Sequence, residues 1–342
     1  MLSHLKLFIL SAVLVHTSCF KYTLPGDAKW PNATLFAALK NSIRGKVALR
    51  GDLTYAPHTW NNITNTPKPA VIVQPSDSSD VVTALRFAQT YNIRVSVQST
   101  GHHQDHRNIY DNSIHLDMST MNAKSLNLTA RTLTLGPGNN FSQIQAFVAE
   151  QTGRKLVALS GADPGVGIYG WTVGGGHGFF TRMYGLGVDA LISIDIVLAN
   201  QSLVTASATQ NPDLFRALRG SGGPAYGVAV SLTVRLYDDP GAISTFTGAY
   251  ELSSSTAATF ADWMIGAPNE VRGYYLPSNF GPDKGVLVAV TCSANTSFCA
   301  QVFTPLKVGC IVVPAIGASC APVLDRYASF YEFFKGDDGA VY

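Results

Sequence analysis

Patterns of apolar residues indicate a β-α-β unit early in the chain. The run AVIVQP is short, apolar and closed by a proline, which is typical of a buried strand. From Val81 to Ala88, apolar residues recur at the i, i+3, i+4 and i+7 positions of a helix that Ser76 or Asp77 can cap. The following IRVSVQS alternates between apolar and polar residues and predicts a second strand that stops before Gly101.

Further periodic segments extend this arrangement to about residue 240. SIHLDM, RTLTLG and ALISIDIVLANQ predict strands, NNFSQIQAFVAEQTG predicts a helix, and NPDLFRALRG with YGVAVSLTVRLY predicts a helix, a glycine loop and a strand. A short helix around 35–43 belongs to an N-terminal arm, residues 20–64, that we expect to pack on a main domain, 65–240. Pro240 and the glycine after it mark a boundary before the last segment, 241–342.

Composition and charge exclude some classes of protein. The 342 residues, 46% of them hydrophobic and 13% charged, are typical of a folded globular protein with one large or two moderate domains. The formal net charge is +2, and the lysines and arginines are scattered along the chain. We therefore expect no nucleic-acid partner.

Residues 1–19 predict a cleaved secretory signal. Lys6 precedes an apolar run from Leu7 to Val15, too short to cross a bilayer, and small polar residues follow. A buried N-terminal helix is the alternative. No later segment reaches about 18 consecutive apolar residues, so we expect a secreted protein with no membrane association. Triplets for N-glycosylation agree with that compartment. They begin at Asn32, Asn62, Asn127, Asn140, Asn200 and Asn295.

Four cysteines lie close together near the end of the chain, at Cys292, Cys299, Cys310 and Cys320. In a secreted protein they predict two disulfides, and the sequence leaves all three pairings open. A zinc site is disfavoured, because the paired C-x-x-C spacing is missing.

Three histidines and an aspartate cluster in the segment STGHHQDHRN, on the loop after the second predicted strand. Loops at the carboxyl ends of strands in α/β units are frequent ligand sites. His102 and His106 have the i, i+4 spacing of a helical zinc site, with His115 or His177 as further candidates. Gly101 and the loop context argue against a helix, so we expect no bound metal.

A glycine-rich stretch follows in the middle of the chain. Gly165–Gly170 fits G-x-G-x-x-G, but Gly174, Gly175 and Gly176 interrupt any helix within one turn, which excludes a classical Rossmann site. Glycines weaken regular structure by about 0.5 to 1 kcal/mol relative to alanine, so they indicate either close approach of backbone amides to a ligand or irregular turns. Ser221 in RGSGG does not complete the nucleophile pattern G-x-S-x-G.

Four blocks together resemble the FAD-binding domain of the berberine-bridge-enzyme-like, or vanillyl-alcohol-oxidase-type, flavoproteins. They are QPSDSSDVVTALRFAQTYNIRVSVQSTGHH, SGADPGVGIYGWTVGGGHG, ALISIDIVLANQ with DLFRALRGSGG, and YGVAVSLTVRLY, in the order found in that family. The resemblance covers residues 65–240. It implies an α+β fold, in which a PCMH-type FAD-binding domain of two α/β subdomains precedes a partial antiparallel-sheet substrate domain.

The resemblance also implies where the cofactor FAD binds. In this family the loop after the second strand wraps the FAD pyrophosphate, and its histidine, matched here by His102, is commonly bonded to the 8α carbon of the flavin. An ordinary loop histidine beside noncovalent FAD is the alternative for His102. The residues expected to bind the cofactor are Thr100, Gly101, His102, His103, Asp163, Val166, Gly167, Gly170, Gly174, Gly175, Gly176 and Val228.

The chain departs from the family pattern in two respects. Asp163 stands eleven positions before the triple glycine, where many members have a second, cysteine tether, so we expect attachment through His102 alone. Asp163 is either a polar substrate contact or the cap of a turn. Family members also continue past this length and usually carry the catalytic base in that part. We therefore expect a fragment, and the base stays unassigned.

The resemblance predicts a secreted FAD-dependent oxidoreductase. A substrate alcohol, sugar or amine would pass hydride to the flavin. Val166 matches a position where valine accompanies oxygen reactivity in the family, which favours molecular oxygen as the acceptor. A catalytically incompetent secreted FAD- or ligand-binding protein is the alternative of another class. A metal-dependent hydrolase built on the histidine cluster is a third and predicts bound zinc.

Overall fold

The computed structural model describes residues 21–61, 66–221, 226–280, 283–312, 318–327, 329–330 and 332. The predicted signal peptide and the glycosylation triplet at Asn62 lie outside the described residues. Within them, the strands form three sheets. The described helices are all too short or too polar to cross a membrane.

The first unit of the fold is a mixed sheet with two helices. Its elements are α1 (Ala33–Ser42), β1 (Lys46–Leu49), β2 (Val71–Gln74), α2 (Ser78–Tyr91), β3 (Val95–Gln98) and β4 (Ile114–Asp117). The strand order is β1-β2-β4-β3; β4 pairs parallel with β2 and β3, and β1 pairs antiparallel with β2. The predicted β-α-β unit is confirmed, with β4 inserted between its strands. The sequence patterns did not predict β1.

Two aspartates start α2 and connect the N-terminal arm to the first sheet. Asp77 is the N-cap, and its carboxylate accepts backbone N–H bonds from the first turn. Asp80 is 1% exposed and accepts backbone N–H bonds of 2.9 Å from Arg44, Gly45 and Ser76. Burial alone would raise the pKa of Asp80, but these backbone hydrogen bonds outweigh it and hold the pKa below its ordinary value.

The second unit is an antiparallel sheet with four helices. Its elements are β5 (Lys124–Asn127), β6 (Thr132–Leu135), α3 (Phe141–Thr152), β7 (Leu156–Ala158), α4 (Ile168–Val173), α5 (Thr181–Tyr184), β8 (Leu191–Leu198), β9 (Leu203–Ser207), α6 (Pro212–Leu218) and β10 (Gly227–Asp238). The strand order is β5-β6-β10-β8-β9, and β7 pairs with the end of β10. The predicted helix over residues 141–152 is confirmed as α3, which begins with a capping box between Asn140 and Gln143.

The third unit follows β10 and is also antiparallel. Its elements are β11 (Ile243–Glu251), α7 (Ser254–Gly266), β12 (Val271–Phe280), β13 (Asp283–Cys292), α8 (Thr296–Phe303) and β14 (Pro322–Tyr327), with strand order β12-β13-β11-β14. The predicted α+β class is therefore confirmed. The domain boundary at Pro240 stays a prediction; this residue lies in the connection between β10 and β11.

Disulfides tie the cysteine-rich part of the third unit together. Of the three possible pairings, the structure has Cys292 with Cys299 and Cys310 with Cys320. The first pair joins the end of β13 to α8, and both of its cysteines are fully buried in the apolar core of this unit.

Candidate functional site

A cleft of about 600 Å³ opens at the carboxyl end of β3. Residues 99–103 form one wall, and residues 166, 167 and 169–171, around the start of α4, form the other. Its volume lies within the roughly 300 to 1,000 Å³ of typical small-molecule sites. The cleft thus contains the first part of the histidine cluster, at the strand end where the sequence predicts a ligand site.

The first wall turns sharply at Gly101. Its φ of +85° lies in the left-handed region that favours glycine. The N–H of His103 donates to the Gly101 carbonyl over 2.8 Å and closes the turn. The Asn108 amide donates to Gln98 Oε1 over 2.9 Å, so the return of the chain towards β4 is held against the end of β3.

The second wall approaches the first so closely that residue 167 has no room for a side chain. A Cβ added to Gly167 would lie 2.2 Å from Ser99 Oγ and 3.0 Å from Thr100 Oγ1. Further along this wall, a Cβ added to Gly170 would meet nothing within 4 Å. Backbone therefore lines much of the cleft, and a ligand can come close to the peptide groups.

His102 lies in the cleft with a different neighbour at each part of its ring. The Trp60 ring packs on it, with ring centroids 5.4 Å apart and a tilt of 35°. Nδ1 is 3.9 Å from Asp163 Oδ2, and a Cβ added to Gly165 would lie 2.8 Å from Nε2. Burial lowers the pKa of His102 below its ordinary value, against the opposing effect of Asp163. The imidazole is therefore neutral at neutral pH and has one nitrogen with a free lone pair.

Two buried polar atoms of cleft-lining residues, Tyr169 Oη and Asn108 Oδ1, have no hydrogen-bond partner among the residues that the structure describes. Leaving such an atom unpaired costs about 1 to 3 kcal/mol, so these atoms favour a ligand that supplies the partners. Burial raises the pKa of Tyr169 to about 12, so its hydroxyl remains a donor. Peptide groups, a phenol and an amide oxygen together suit a long polar ligand with phosphates and hydroxyls, such as FAD.

The structure brings most of the predicted cofactor-binding residues to this cleft. Those that line it are Thr100, Gly101, His102, His103, Val166, Gly167 and Gly170. Asp163 lies beside it, and its Oδ1 accepts a hydrogen bond from the Gly165 N–H over 2.8 Å. Of the two roles considered for Asp163, the structure shows the turn cap; contact with a substrate stays a prediction.

Gly174, Gly175, Gly176 and Val228 are not among the residues that line the cleft, so their contact with the cofactor stays a prediction. The triple glycine ends α4 and pairs with a later segment, where the Gly187 N–H donates to the Gly176 carbonyl over 2.8 Å. Val228 is 3% exposed on β10 and belongs to an apolar cluster shared with the first unit. The described contacts of these residues are packing contacts within the protein.

Trp171 accounts for part of the glycine-rich stretch. Added Cβ atoms would lie 3.1 Å from its ring at Gly161 and Gly176 and 2.1 Å from it at Gly187. The indole also packs edge-on against Phe141, with ring centroids 5.0 Å apart. The chain thus folds tightly around one tryptophan that itself lines the cleft.

The remaining histidines of the cluster do not form one ligand set. His106 Nε2 lies 2.8 Å from Asn61 Oδ1, and His103 Nδ1 accepts the Asp105 N–H. His115 is buried and bonds to Ser96. In the part of the chain that the structure describes, no group of three or more His, Cys, Asp or Glu side chains could hold a metal ion.

The sequence patterns did not single out several residues that line the cleft. These are Val95, Ser96, Val97, Ser99, Arg107, Asn108, Tyr110, Tyr169 and Trp171. Aromatic residues inside a glycine-rich run, as in GIYGWTVGGG, were a usable signal for Tyr169 and Trp171. Asn108 carried no such signal, because its place depends on how the loop folds back on Gln98.

Comparison with known proteins agrees with this geometry. Residues 69–207 match the family model described as an FAD binding domain. The chain is 33% identical over 223 residues to FAD-linked oxidoreductase ffsJ of Aspergillus flavipes, covering 61% of this chain and 36% of that protein.

Solved structures share the fold. BBE-like 1 of Physcomitrella patens has a TM-score of 0.74 at 23% identity, covering 81% of this chain and 60% of its own. The xylooligosaccharide oxidase of Myceliophthora thermophila C1, in complex with xylobiose, has a TM-score of 0.72 at 27% identity, covering 80% and 58%. The chain thus spans from about a third to three fifths of the length of these relatives.

The fold, the cleft and the match over residues 69–207 define an FAD binding domain. The chain is similar to proteins named FAD-linked oxidoreductases and shares its fold with a BBE-like protein of known structure. Its cofactor is FAD.

Proposed function

We propose that this protein is a secreted FAD-dependent oxidase that takes hydride from an alcohol, sugar or amine-type small molecule and passes the electrons to molecular oxygen. The cleft beside His102 carries the proposal, because it has the size and the unpaired polar atoms that FAD requires and lies within the matched domain. A relative named xylooligosaccharide oxidase supports oxidase chemistry and a sugar as one substrate class.

The cleft residues divide the binding of FAD among them. Peptide groups of Thr100–His103 would hold the diphosphate, and Arg107, which also lines the cleft and pairs with Asp105 over 3.3 Å, would offer a positive charge for it. Tyr169 would donate its hydroxyl proton to the cofactor and Asn108 would accept at Oδ1, each at an atom that has no partner among the described residues. Bound flavin supplies the hydride acceptor.

His102 is the proposed covalent tether. Its imidazole is neutral because burial lowers its pKa, and the absence of a side chain at Gly165 leaves Nε2 uncovered. A carboxylate stands at Asp163, so no second, thioether attachment forms there. The catalytic base is not assigned.

Secretion is supported by the signal pattern of residues 1–19 and by the glycosylation triplets. At Asn32, Asn140 and Asn295 the side-chain oxygen caps a helix. The amide nitrogen that would carry a glycan does not take part in these caps. A mass decrease on treatment with a glycosidase, for protein collected from the medium of a eukaryotic host, would support this part of the proposal.

An absorbance spectrum of the purified protein, before and after acid precipitation, tests the cofactor and the tether. We expect maxima at roughly 370 and 450 nm, typical of a flavin, that stay with the precipitate. His102→Ala should release the flavin into the supernatant, while His177→Ala, at an exposed histidine outside the cleft lining, should not.

Oxygen consumption with sugars, alcohols and amines then tests the oxidase. A yellow protein that takes up no oxygen with any of them would favour the alternative of a cofactor- or ligand-binding protein. A protein that stays colourless after addition of FAD would contradict the proposal.

A further inference from the structure

A short segment of the N-terminal arm packs against the loop that carries His102. The Trp60 N–H donates to the Gly101 carbonyl over 3.3 Å, and Asn61 Oδ1 lies 2.8 Å from His106 Nε2. The ring of His58 lies 3.2 Å from the Gln98 amide nitrogen at the end of β3. The segment 58–61 thus contacts the first wall of the cleft before, at and after His102.

The Trp60 side chain is the part of this segment that contacts the imidazole. Its ring packs on the face of His102 although the tryptophan is 47% exposed. The contact restricts rotation of the imidazole about its side-chain bonds.

Asp163 acts on the edge of the same ring. One carboxylate oxygen is fixed by the Gly165 N–H at 2.8 Å, which directs the other to within 3.9 Å of His102 Nδ1. At this distance the contact is electrostatic and longer than a hydrogen bond. The ring is therefore held on its face by an aromatic side chain and on its edge by a fixed negative charge.

We propose that Trp60 and Asp163 are positioning residues that hold the His102 imidazole for attachment to the flavin, which rests on the proposed function of His102 as the tether. Attachment forms a bond from an imidazole nitrogen to the 8α carbon and breaks one C8α–H bond and the imidazole N–H bond. The two electrons stay on the flavin ring until molecular oxygen takes them up, with two protons, as hydrogen peroxide. The C8α proton and the imidazole proton both pass to solvent water, and Asp163 acts only through its charge beside Nδ1.

The test compares total flavin with acid-stable flavin after FAD is added to the protein. Trp60→Ala removes the ring contact but keeps the backbone bond to Gly101. We expect it to keep its total FAD and melting temperature while the rate of attachment falls roughly 10- to 100-fold, because a reacting group displaced by about 1 Å loses that much. Trp60→Phe should restore most of the rate. Leu203→Ala, which also removes an exposed side chain, should match the wild type.

Asp163→Asn adds a readout that a merely structural role would not change. The carboxylate raises the pKa of His102, so its removal lowers that pKa further and moves the acid limb of the pH profile of attachment to lower pH. The inference would be overturned if Trp60→Ala attached the flavin at the wild-type rate and Asp163→Asn left the acid limb of the pH profile where it is in the wild type. The inference would also be overturned if acid-stable flavin and total FAD fell in proportion in the variants, since that result would indicate a role in FAD binding. If the wild-type protein held no acid-stable flavin, the tether itself would be refuted. This result would be known before any variant is made.

Discussion

At the residue scale, burial and the available partners decide what a side chain of a given type does. Tyr55 and Tyr169 are both tyrosines with raised pKa values, in each case mainly because of burial. The Tyr55 hydroxyl donates to the Pro69 carbonyl over 2.8 Å, whereas the Tyr169 hydroxyl has no partner within the described part of the chain. The first therefore belongs to the fold and the second is available for a ligand.

This difference predicts opposite effects for the same substitution. Tyr169→Phe removes an unpaired buried hydroxyl, so we expect the apoprotein to keep or gain stability by up to about 1 kcal/mol while its affinity for FAD falls about tenfold. Tyr55→Phe should lose about 1 kcal/mol of stability and keep its affinity for FAD. Thermal melting of the apoproteins and FAD titrations measure both. Equal FAD affinity in Tyr169→Phe and wild type would show that the hydroxyl does not contact the cofactor.

At the scale of elements, the short helix α4 contributes residues both to the cleft and to the place where the glycine-rich chain packs closely around Trp171. The helix begins after Gly167, where the two walls meet, and ends at Gly174. It carries Gly170 and Trp171 on the cleft. Its glycines therefore serve different purposes, and alanine substitutions can separate them.

Gly187→Ala and Gly170→Ala should change the stability of the apoprotein in opposite directions. A Cβ at residue 187 would lie 2.1 Å from the Trp171 ring, so we expect a loss of about 1 to 3 kcal/mol or more. At residue 170 the space is open, and alanine in a helix should add roughly 0.5 to 1 kcal/mol to the apoprotein. The added methyl group projects where a ligand approaches, so FAD affinity should fall. Urea unfolding of the apoproteins and FAD titration check both. A stable Gly187→Ala variant would contradict the packing argument.

At the scale of the whole molecule, stability towards acid depends on a histidine that joins two strands of the first sheet. His115 on β4 is 1% exposed, and its Nδ1 lies 2.9 Å from Ser96 Oγ on β3. Ser96 also bonds to Ser113, which donates to the Tyr110 carbonyl. The Ser96 proton is therefore directed to Ser113, and Ser96 accepts from His115 Nδ1–H. Burial lowers the pKa of His115 to about 4.

The unfolded chain binds a proton at this histidine at a higher pH than the folded protein does. Stability is therefore complete above pH of about 6.5 and decreases as the pH falls towards about 4, by about 3 kcal/mol in total. His115→Gln should flatten the dependence in this window, while the loss below pH of about 4, where carboxylates such as Asp80 protonate, should remain. Urea unfolding from pH 7 to pH 4, as an approximate range, measures the slope. An equal slope in both proteins would contradict this assignment.

The local sequence determined the elements that have a period or a cap of their own. Helices α2 and α3 follow from apolar spacing and from caps at Asp77 and Asn140, and β2, β3 and β4 follow from short apolar or alternating runs. The histidine loop after β3 was predicted for the same reason, since strand and glycine are local signals. The four blocks that occur in the order of a known family extended the prediction to the cofactor FAD and to His102 as one of its binding residues.

Tertiary structure alone decided which residues meet. The spacing of the cysteines allowed three pairings, and only the structure chose one of them. Two further contacts join positions that are separate along the chain, namely the packing of Trp60 on His102 and the crossing of Gly187 over Trp171. The triple glycine and Val228 are further examples, because the structure places them outside the lining of the cleft and gives them contacts within the protein. Periodicity reports which face of an element is buried, whereas contacts between elements depend on how all of them pack at once, and no local pattern encodes that.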